Sequence, residues 1–184
     1  MHNLLLALVF FLPAAAANGI PVLAALIPGL HKLNAPMDFG LHVRGRPLFG
    51  KNKTWRGLFT GIIAATLLLW LLQQLALRWH PLGNLMSDIN YTQLHTWLLG
   101  PLLGAGALLG DAVESFIKRQ LNYPPGKSWF PFDQIDFVIG AIVCTLPYVV
   151  LSISQYIWTF VVLMLLHVSF DRIGGIFHLK DRIH

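Results

Sequence analysis

The chain has 184 residues, of which 55% are hydrophobic and only 11% are charged. Soluble domains carry about 25% charged residues, so this composition excludes a soluble domain and indicates an integral membrane protein. The formal net charge of +5 would suit a nucleic-acid-binding protein, but the basic residues cluster in loops beside apolar segments, as they do in membrane proteins. We therefore expect membrane lipids, and no nucleic acid, among the partners.

Five apolar segments have roughly the length needed to cross the hydrocarbon core, which takes about 20 helical residues. They predict transmembrane helices at about 4–30, 57–78, 95–117, 134–153 and 156–172. Only Ser152-Ile153-Ser154-Gln155 separates the last two, which predicts a tight helical hairpin. The predicted fold class is all-α, a polytopic membrane protein with a single domain over residues 1–184.

The first segment has an alternative interpretation as a cleaved signal peptide. Leu4 to Leu12 forms an apolar core, and Ala15-Ala16-Ala17 resembles a small-residue cleavage site. A basic start is missing, however, and apolarity resumes as far as Leu30, so one span interrupted by proline is favoured. Proline removes a helical hydrogen bond, which predicts kinks in this span. The prolines concerned are Pro13, Pro21 and Pro28.

The distribution of lysine and arginine predicts the orientation. If the five spans alternate, Arg78 lies alone on one side of the membrane. The other side holds Lys32, Arg44, Arg46, Lys51, Lys53, Arg56, Lys118, Arg119, Lys127, Arg172, Lys180 and Arg182. The positive-inside rule then places the N-terminus outside and the C-terminus in the cytoplasm. It makes residues 31–56 and 118–133 cytoplasmic loops.

The first cytoplasmic loop combines a dense set of cations with glycines. The cations are Arg44, Arg46, Lys51, Lys53 and Arg56, and the glycines are Gly40, Gly45, Gly50 and Gly57. Glycines let the backbone approach an anion closely, cations supply charge-assisted bonds, and the following helix start offers free amide donors. The loop therefore favours a phosphate-rich ligand; the alternative is a loop that holds anionic lipid headgroups.

Asp111 lies well inside the third predicted span. The glycines before it, which permit close helix approach, are Gly100, Gly104, Gly106 and Gly110. Eight residues separate Asp111 from Arg119, which at about 1.5 Å per residue puts the carboxylate roughly 12 Å below the loop. Ser115 and Lys118 follow on its face of the helix, and Glu114 lies beside it. An ionisable group at this depth indicates a functional site.

Asp133 and Asp136 open the fourth predicted span three residues apart, so they lie side by side on a helix. The short loop Pro124-Pro125-Gly126-Lys127 brings them toward Asp111. Three carboxylates without a metal-spaced cysteine or histidine set predict a site for a hard cation, Mg²⁺ above all. Helix capping is the alternative for Asp133 and Asp136, but it leaves Asp111 unexplained.

Several short motifs are shared with a known family. They are Gly50-Lys51-Asn52-Lys53-Thr54-Trp55-Arg56-Gly57, Gly110-Asp111, Ser115-Phe116, Lys118-Arg119 and Asp133-Gln134-Ile135-Asp136-Phe137. Together they resemble the CDP-archaeol synthase family, which is related to the CTP:phosphatidate cytidylyltransferases, and the resemblance covers nearly the whole chain. It implies Mg²⁺-dependent transfer of the cytidylyl group of CTP to a lipid phosphate. The products would be a CDP-lipid and pyrophosphate. The orientation predicted from the lysine and arginine distribution would place this site at the cytoplasmic side of the cell membrane.

The resemblance also implies roles for individual residues. Mg²⁺ would be held by Asp111, Asp133 and Asp136. Phosphates would be neutralised by Lys118 and Arg119, which completes the expected catalytic set. The nucleotide triphosphate or the lipid headgroup would be cradled by Lys51, Lys53, Thr54, Arg56 and Gly57. Two assignments stay open: Ser115 either bonds a phosphate or caps its own helix, and Glu114 either joins the metal shell or pairs with Lys118.

Two other functions are compatible with these residues. A CTP-dependent lipid or polyprenol kinase would share the ion requirement but would release CDP instead of pyrophosphate. A small transporter or assembly subunit would use intramembrane acids to move protons or ions, and would need neither CTP nor Mg²⁺. The lipid acceptor is also open, because apolar grooves discriminate chain chemistry weakly. A diether phosphate, phosphatidic acid or a single-chain isoprenoid phosphate would fit.

Overall fold

The computed structural model describes residues 2–124 and 127–176. Its helices are α1 (His2–Ala24), α2 (Trp55–Arg78), α3 (His80–Leu85), α4 (Thr96–Gln120), α5 (Phe132–Thr145) and α6 (Ile153–Ile176). A small antiparallel hairpin in the first loop pairs β1 (His42–Val43) with β2 (Arg46–Pro47). Short 3₁₀ turns cover Pro28–Leu33, Ser87–Ile89 and Tyr91–Gln93. Lys180 and Arg182, used for the orientation, and Pro125-Gly126 of the second loop lie outside the described residues.

The core forms where α1, α2 and α4 pack together. Leu6, Phe10, Leu69 and Leu103 are almost completely buried at this contact. In the described part of the chain, these three helices are also the ones long and apolar enough to cross a membrane. Many apolar side chains on the outer faces stay exposed, as expected for a bundle whose surroundings are lipid. The structure is thus mostly helical, and the chain is a membrane protein.

Two predicted spans have different bounds in the structure. The span predicted for 4–30 ends at Ala24, and Pro28 instead opens a 3₁₀ turn. The helix itself continues through Pro13 and Pro21.

The span predicted for 134–153 was wrong at its C-terminal end. Helix α5 has 14 residues and stops at Thr145, shortly before Pro147, which has no N–H to donate. Residues 146–152 follow as an irregular connection, so the link between the last two helices is longer than predicted, and their pairing as a tight hairpin stays a prediction. Ser152 and Gln155 then cap α6 reciprocally, with bonds of 2.8 and 3.3 Å. At about 1.5 Å per residue α5 is roughly 21 Å long, and the count of five spans stays a prediction.

Glycines let α4 touch both of its neighbours through the main chain. A Cβ atom added at Gly100 would lie 2.6 Å from the Cα atom of Thr66 on α2. One added at Gly106 would lie 2.6 Å from the carbonyl oxygen of Gly140 on α5. At Gly110, the added atom would collide with the carbonyl of Asp136. The predicted small-residue surface is therefore confirmed, and it serves two helix contacts on different faces.

Polar contacts group the loops at the two ends of the bundle. At one end, the Arg46 guanidinium donates to the carbonyl of Gln120, which ties the first loop to the end of α4. At the other end, His2 lies 3.0 Å from Asp88, and Asn3 donates to Ser154 at 3.1 Å. The first loop, the end of α4 and the start of α5 thus share one end.

We expect Gly140→Ala to destabilise the helix bundle by about 1–3 kcal/mol, the usual cost of overpacking. Its added methyl group would collide with the carbonyl of Gly106 and lie 2.8 Å from the amide nitrogen of Gly110. Gly19→Ala in α1 is the matched control, because nothing lies within 4 Å of a Cβ atom there. Thermal unfolding in detergent measures both. Equal melting temperatures would refute the tight contact.

Candidate active site

Three carboxyl groups converge between α4 and α5. They belong to Asp111 and Glu114 on α4 and to Asp136 on α5, and one oxygen of each lies within 4.8 Å of the others. Glu114 is only 7% exposed, so a negative charge there has lost most of its hydration. Its buried Oε1 atom lies 3.0 Å from the Lys118 Nζ atom. Such a set of hard oxygen donors fits a divalent cation such as Mg²⁺.

The glycine contact explains why these acids meet. Gly110 immediately precedes Asp111, and Gly140 lies one helical turn after Asp136. Because the main chains of α4 and α5 touch at these glycines, side chains beginning next to the contact share one small volume. The Asp136 carboxylate also accepts a bond of 2.7 Å from the Phe137 amide, which limits its rotation.

Two lysines bring positive charge to the carboxylates. Lys53, from the first loop, places its Nζ atom 2.6 Å from Asp111 Oδ2. Lys118, from the last turns of α4, lies 3.0 Å from both Glu114 Oε1 and Asp133 Oδ1. The Lys118 side chain is 10% exposed, so water screens these pairs poorly. The lysines therefore offset much of the cost of burying several acids together.

Asp133 does not join the three-carboxylate group. It bonds instead to Lys118, and its second oxygen accepts from the Trp129 amide at 2.9 Å. The latter bond ties the residue to the loop before α5. Its role as a metal ligand stays a sequence-based prediction, and the geometry favours Glu114 in that position.

The remaining predicted residues have separate environments. Thr54 caps α2 by accepting from the Gly57 amide at 3.2 Å. Arg56 is 9% exposed in the first turn of α2, whereas Lys51 is exposed at the surface of the loop. Arg119 donates to the Pro124 carbonyl at 3.4 Å. Half-buried Ser115 lies on α4. Within the described part of the chain, Lys53 and Lys118 are the cations that form ion pairs with these acids.

The structure groups Glu114 with Asp111 and Asp136, whereas its role was left open by the sequence. The interpretation of the sequence left it between the metal shell and a partner of Lys118; the structure shows the pair with Lys118, and metal binding by Glu114 stays a proposal. Its position three residues after Asp111, inside an apolar helix, was the available signal.

An apolar groove of about 460 Å³ runs past the carboxylates along the seam between α4 and α5. Its walls include Leu109, Val113, Ile117, Phe132, Ile135, Ile139 and Val143. Glu114 and Asp136 are the charged groups in the lining. Several wall residues, including Val113 and Val143, are more than half exposed, so the groove opens toward the surroundings of the bundle. It can therefore accept an apolar chain whose polar end lies at the acids.

The whole chain, residues 1–184, matches the family model described as CarS-like CDP-archaeol synthase. A CDP-archaeol synthase of Pyrococcus furiosus is 36% identical over 168 residues, which cover 91% of this chain and 90% of that protein. One from Methanocaldococcus jannaschii is 37% identical over 161 residues, which cover 84% and 85% of the two chains.

A solved structure has the same fold. It is described as an intramembrane enzyme for archaeal membrane lipids biosynthesis, and it superposes with a TM-score of 0.70 at 26% sequence identity. The match covers 90% of this chain and 92% of that one. The similarity therefore extends over nearly the full length in both sequence and structure.

We expect Glu114→Gln and Asp136→Asn to weaken binding of Mn²⁺, a spectroscopic substitute for Mg²⁺, by at least about tenfold. Each change removes a charge from the three-carboxylate group. Asp133→Asn should have a smaller effect, because Asp133 bonds to Lys118 and the Trp129 amide. Electron paramagnetic resonance titration of the purified protein measures the free Mn²⁺.

The matched control for the Mn²⁺ titration is Asp88→Asn, an exposed acid at the opposite end of the bundle. A larger loss in Asp133→Asn than in Glu114→Gln would restore the ligand set expected from sequence.

Proposed function

Because this chain belongs to the CDP-archaeol synthase family, we propose that its cytidylyl transfer takes place at the group formed by Asp111, Glu114 and Asp136. The protein is a CTP-dependent cytidylyltransferase that converts a lipid phosphate into a CDP-lipid. The single observation that supports the proposed location is the convergence of three carboxyl groups beside an apolar groove.

The reaction needs no nucleophile from the protein. An oxygen of the lipid phosphate, already ionised at neutral pH, attacks the α-phosphorus of CTP. The new P–O bond forms as the bond to the β-phosphate oxygen breaks, and pyrophosphate leaves. The task of the protein is to hold two anions in line against their mutual repulsion.

We propose Mg²⁺ as the cofactor, held by Asp111, Glu114 and Asp136. Bound there, the ion would offset the negative charge on the phosphate oxygens and on the leaving pyrophosphate. The donor set is made of carboxylate oxygens alone, and three of them lie within 4.8 Å of one another. Such a set suits a hard divalent cation.

The lysines would bind the phosphates of the substrates. Lys53 and Lys118 already lie against the carboxylates, so their charges are available where phosphate oxygens must enter. Lys51, Arg56 and Arg119 are proposed to extend this positive surface along the nucleotide. Thr54 and Gly57 would contribute through the capped start of α2, and Ser115 through its hydroxyl.

The apolar groove is proposed to hold the chains of the lipid acceptor. Its walls are apolar, and Glu114 and Asp136 are part of its lining, so a lipid phosphate would bring its headgroup to the proposed Mg²⁺ site while its chains stay among the helices. The acceptor is proposed to be an archaeol-type diether phosphate, and a phosphatidate-like lipid would share its chemistry.

The carboxylate end of the bundle is proposed to face the cytoplasm from the cell membrane. Of the 13 lysines and arginines, Arg78 alone would lie on the outer side, and the positive-inside rule then gives the orientation. The loop contacts support this arrangement, because the first loop and the start of α5 lie at one end with Lys53 and Lys118. The N-terminus would be outside.

We expect the purified protein, given Mg²⁺, α-labelled CTP and a panel of lipid phosphates, to transfer label into the lipid phase with equal release of pyrophosphate. A diether phosphate should be the best acceptor. Asp136→Asn should reduce kcat by at least about 100-fold, because it removes charge from the three-carboxylate group while preserving shape. Release of CDP with phosphorylation of a lipid alcohol would instead identify a kinase, and absence of transfer would reject the assignment.

We expect Val143→Trp to raise the KM for the lipid phosphate about tenfold while leaving the KM for CTP within twofold. The larger side chain would fill the groove without touching the acids. Steady-state kinetics with each substrate varied in turn measures the split. Val150→Trp, at a 74% exposed residue outside the groove lining, is the control. Equal effects on both substrates would argue against a lipid groove.

A further inference from the structure

Asp38 organises the first loop around a buried carboxylate. The residue is 4% exposed although it lies in a loop rich in polar residues. Its Oδ1 atom accepts from the Gly40 amide at 3.0 Å. Its Oδ2 atom accepts from the amides of Phe49 and Gly50, at 2.9 and 3.1 Å. One side chain thus joins two parts of the loop that are more than ten residues apart.

The charge on Asp38 is maintained by these bonds. Burial raises the pKa of the Asp38 carboxyl, but the amide donors of Phe49, Gly40 and Gly50 outweigh burial and hold this pKa below its ordinary value. Asp38 is therefore ionised at neutral pH. Hydrogen bonds to an ionised acceptor are among the stronger ones in proteins, so Asp38 holds the backbone of the loop firmly in this conformation.

Backbone hydrogen bonds join the two ends of the loop next to Asp38. The Met37 amide donates to the Lys53 carbonyl at 2.7 Å, and the Trp55 amide donates to the Ala35 carbonyl at 3.1 Å. Pro36 and Thr54 form a bridge between these bonds. Asp38 follows directly after the paired segment. The backbone position of Lys53 is therefore fixed by the same closed structure that Asp38 holds together.

Gly50 shows that the loop conformation is specific. Its φ angle is +97°, a region that residues with a Cβ atom rarely adopt, and its amide is one of the three donors to Asp38. The loop is also fixed to α4 by the bond from Arg46 to the Gln120 carbonyl. Its closed form thus has a defined place relative to the carboxylates.

We infer that Asp38 is a positioning residue for CTP, which acts by holding the closed loop that aims Lys53 at Asp111. This inference rests on the proposed function, since it assigns the loop cations to the nucleotide. Lys53 is the described link, because its Nζ atom lies 2.6 Å from Asp111 while its backbone carbonyl accepts from Met37. Asp38 itself is not a catalytic residue. It acts through the backbone of the loop.

Steady-state kinetics of Asp38→Asn in detergent tests this role. Asparagine keeps the shape and one acceptor oxygen, but its amide group would face amide donors. We expect the KM for CTP to rise about tenfold or more, with the KM for the lipid phosphate close to wild type. Asp38→Ala should raise the CTP value further, since it removes every acceptor. Asp88→Asn, an exposed acid at the opposite end, should leave both KM values unchanged.

Gly50→Ala provides a second route to the same result if the Asp38 variants do not fold. It retains the carboxylate but opposes the left-handed backbone at φ +97°, so it should also raise the KM for CTP selectively. An unchanged KM for CTP in a folded variant, or an equal rise for both substrates, overturns the inference and leaves the assigned reaction intact. A wild-type protein that makes no CDP-lipid rejects the proposed function, and this inference with it.

Discussion

The main-chain contact between α4 and α5 is the constraint on which the site depends. Gly106, Gly110 and Gly140 bring the two backbones so close that a methyl group at any of them would meet atoms of the opposite helix. In a membrane, apolar side chains gain little by leaving lipid for protein, so close packing of this kind carries much of the association between helices. The acids beside the glycines are consequently held together by the packing of the backbone.

That packing brings several negative charges close together, and two lysines offset their repulsion. Several carboxylates at the edge of an apolar bundle repel one another and lose hydration. Lys118 on α4 and Lys53 in the first loop supply the compensating positive charge. Because the two lysines belong to different elements, the charge balance of the site also connects the loop to the helix bundle. A change in the first loop that moves Lys53 would therefore alter the charge balance around Asp111.

The sequence predicted where the helices lie along the chain better than it predicted how they are rotated against one another. Hydropathy located α2 and α4 to within a few residues, and the depth of Asp111 marked the site. Spacing along one helix placed Asp133 and Asp136 side by side, but it gave no information on how α5 is rotated against α4. The glycine contact sets that rotation, and it directs Asp136 to Asp111 and Asp133 to Lys118. The early end of α5 likewise depended on Pro147, whose effect hydropathy does not register.

The groove and the first loop belong to different parts of the fold, since the groove follows the seam between α4 and α5 and the loop contributes Lys53. In the proposed reaction, the apolar chains of the lipid phosphate would lie in the groove, and CTP would lie against the cations of the loop. Apolar walls distinguish one lipid chain from another by only about 1–3 kcal/mol per methylene-sized difference. In the proposed arrangement, strong selection would act on the phosphate, which every acceptor would bring to the same lysines and carboxylates. Discrimination between lipids would then depend on how deeply the chains let that phosphate enter, and so on the length and shape of the groove.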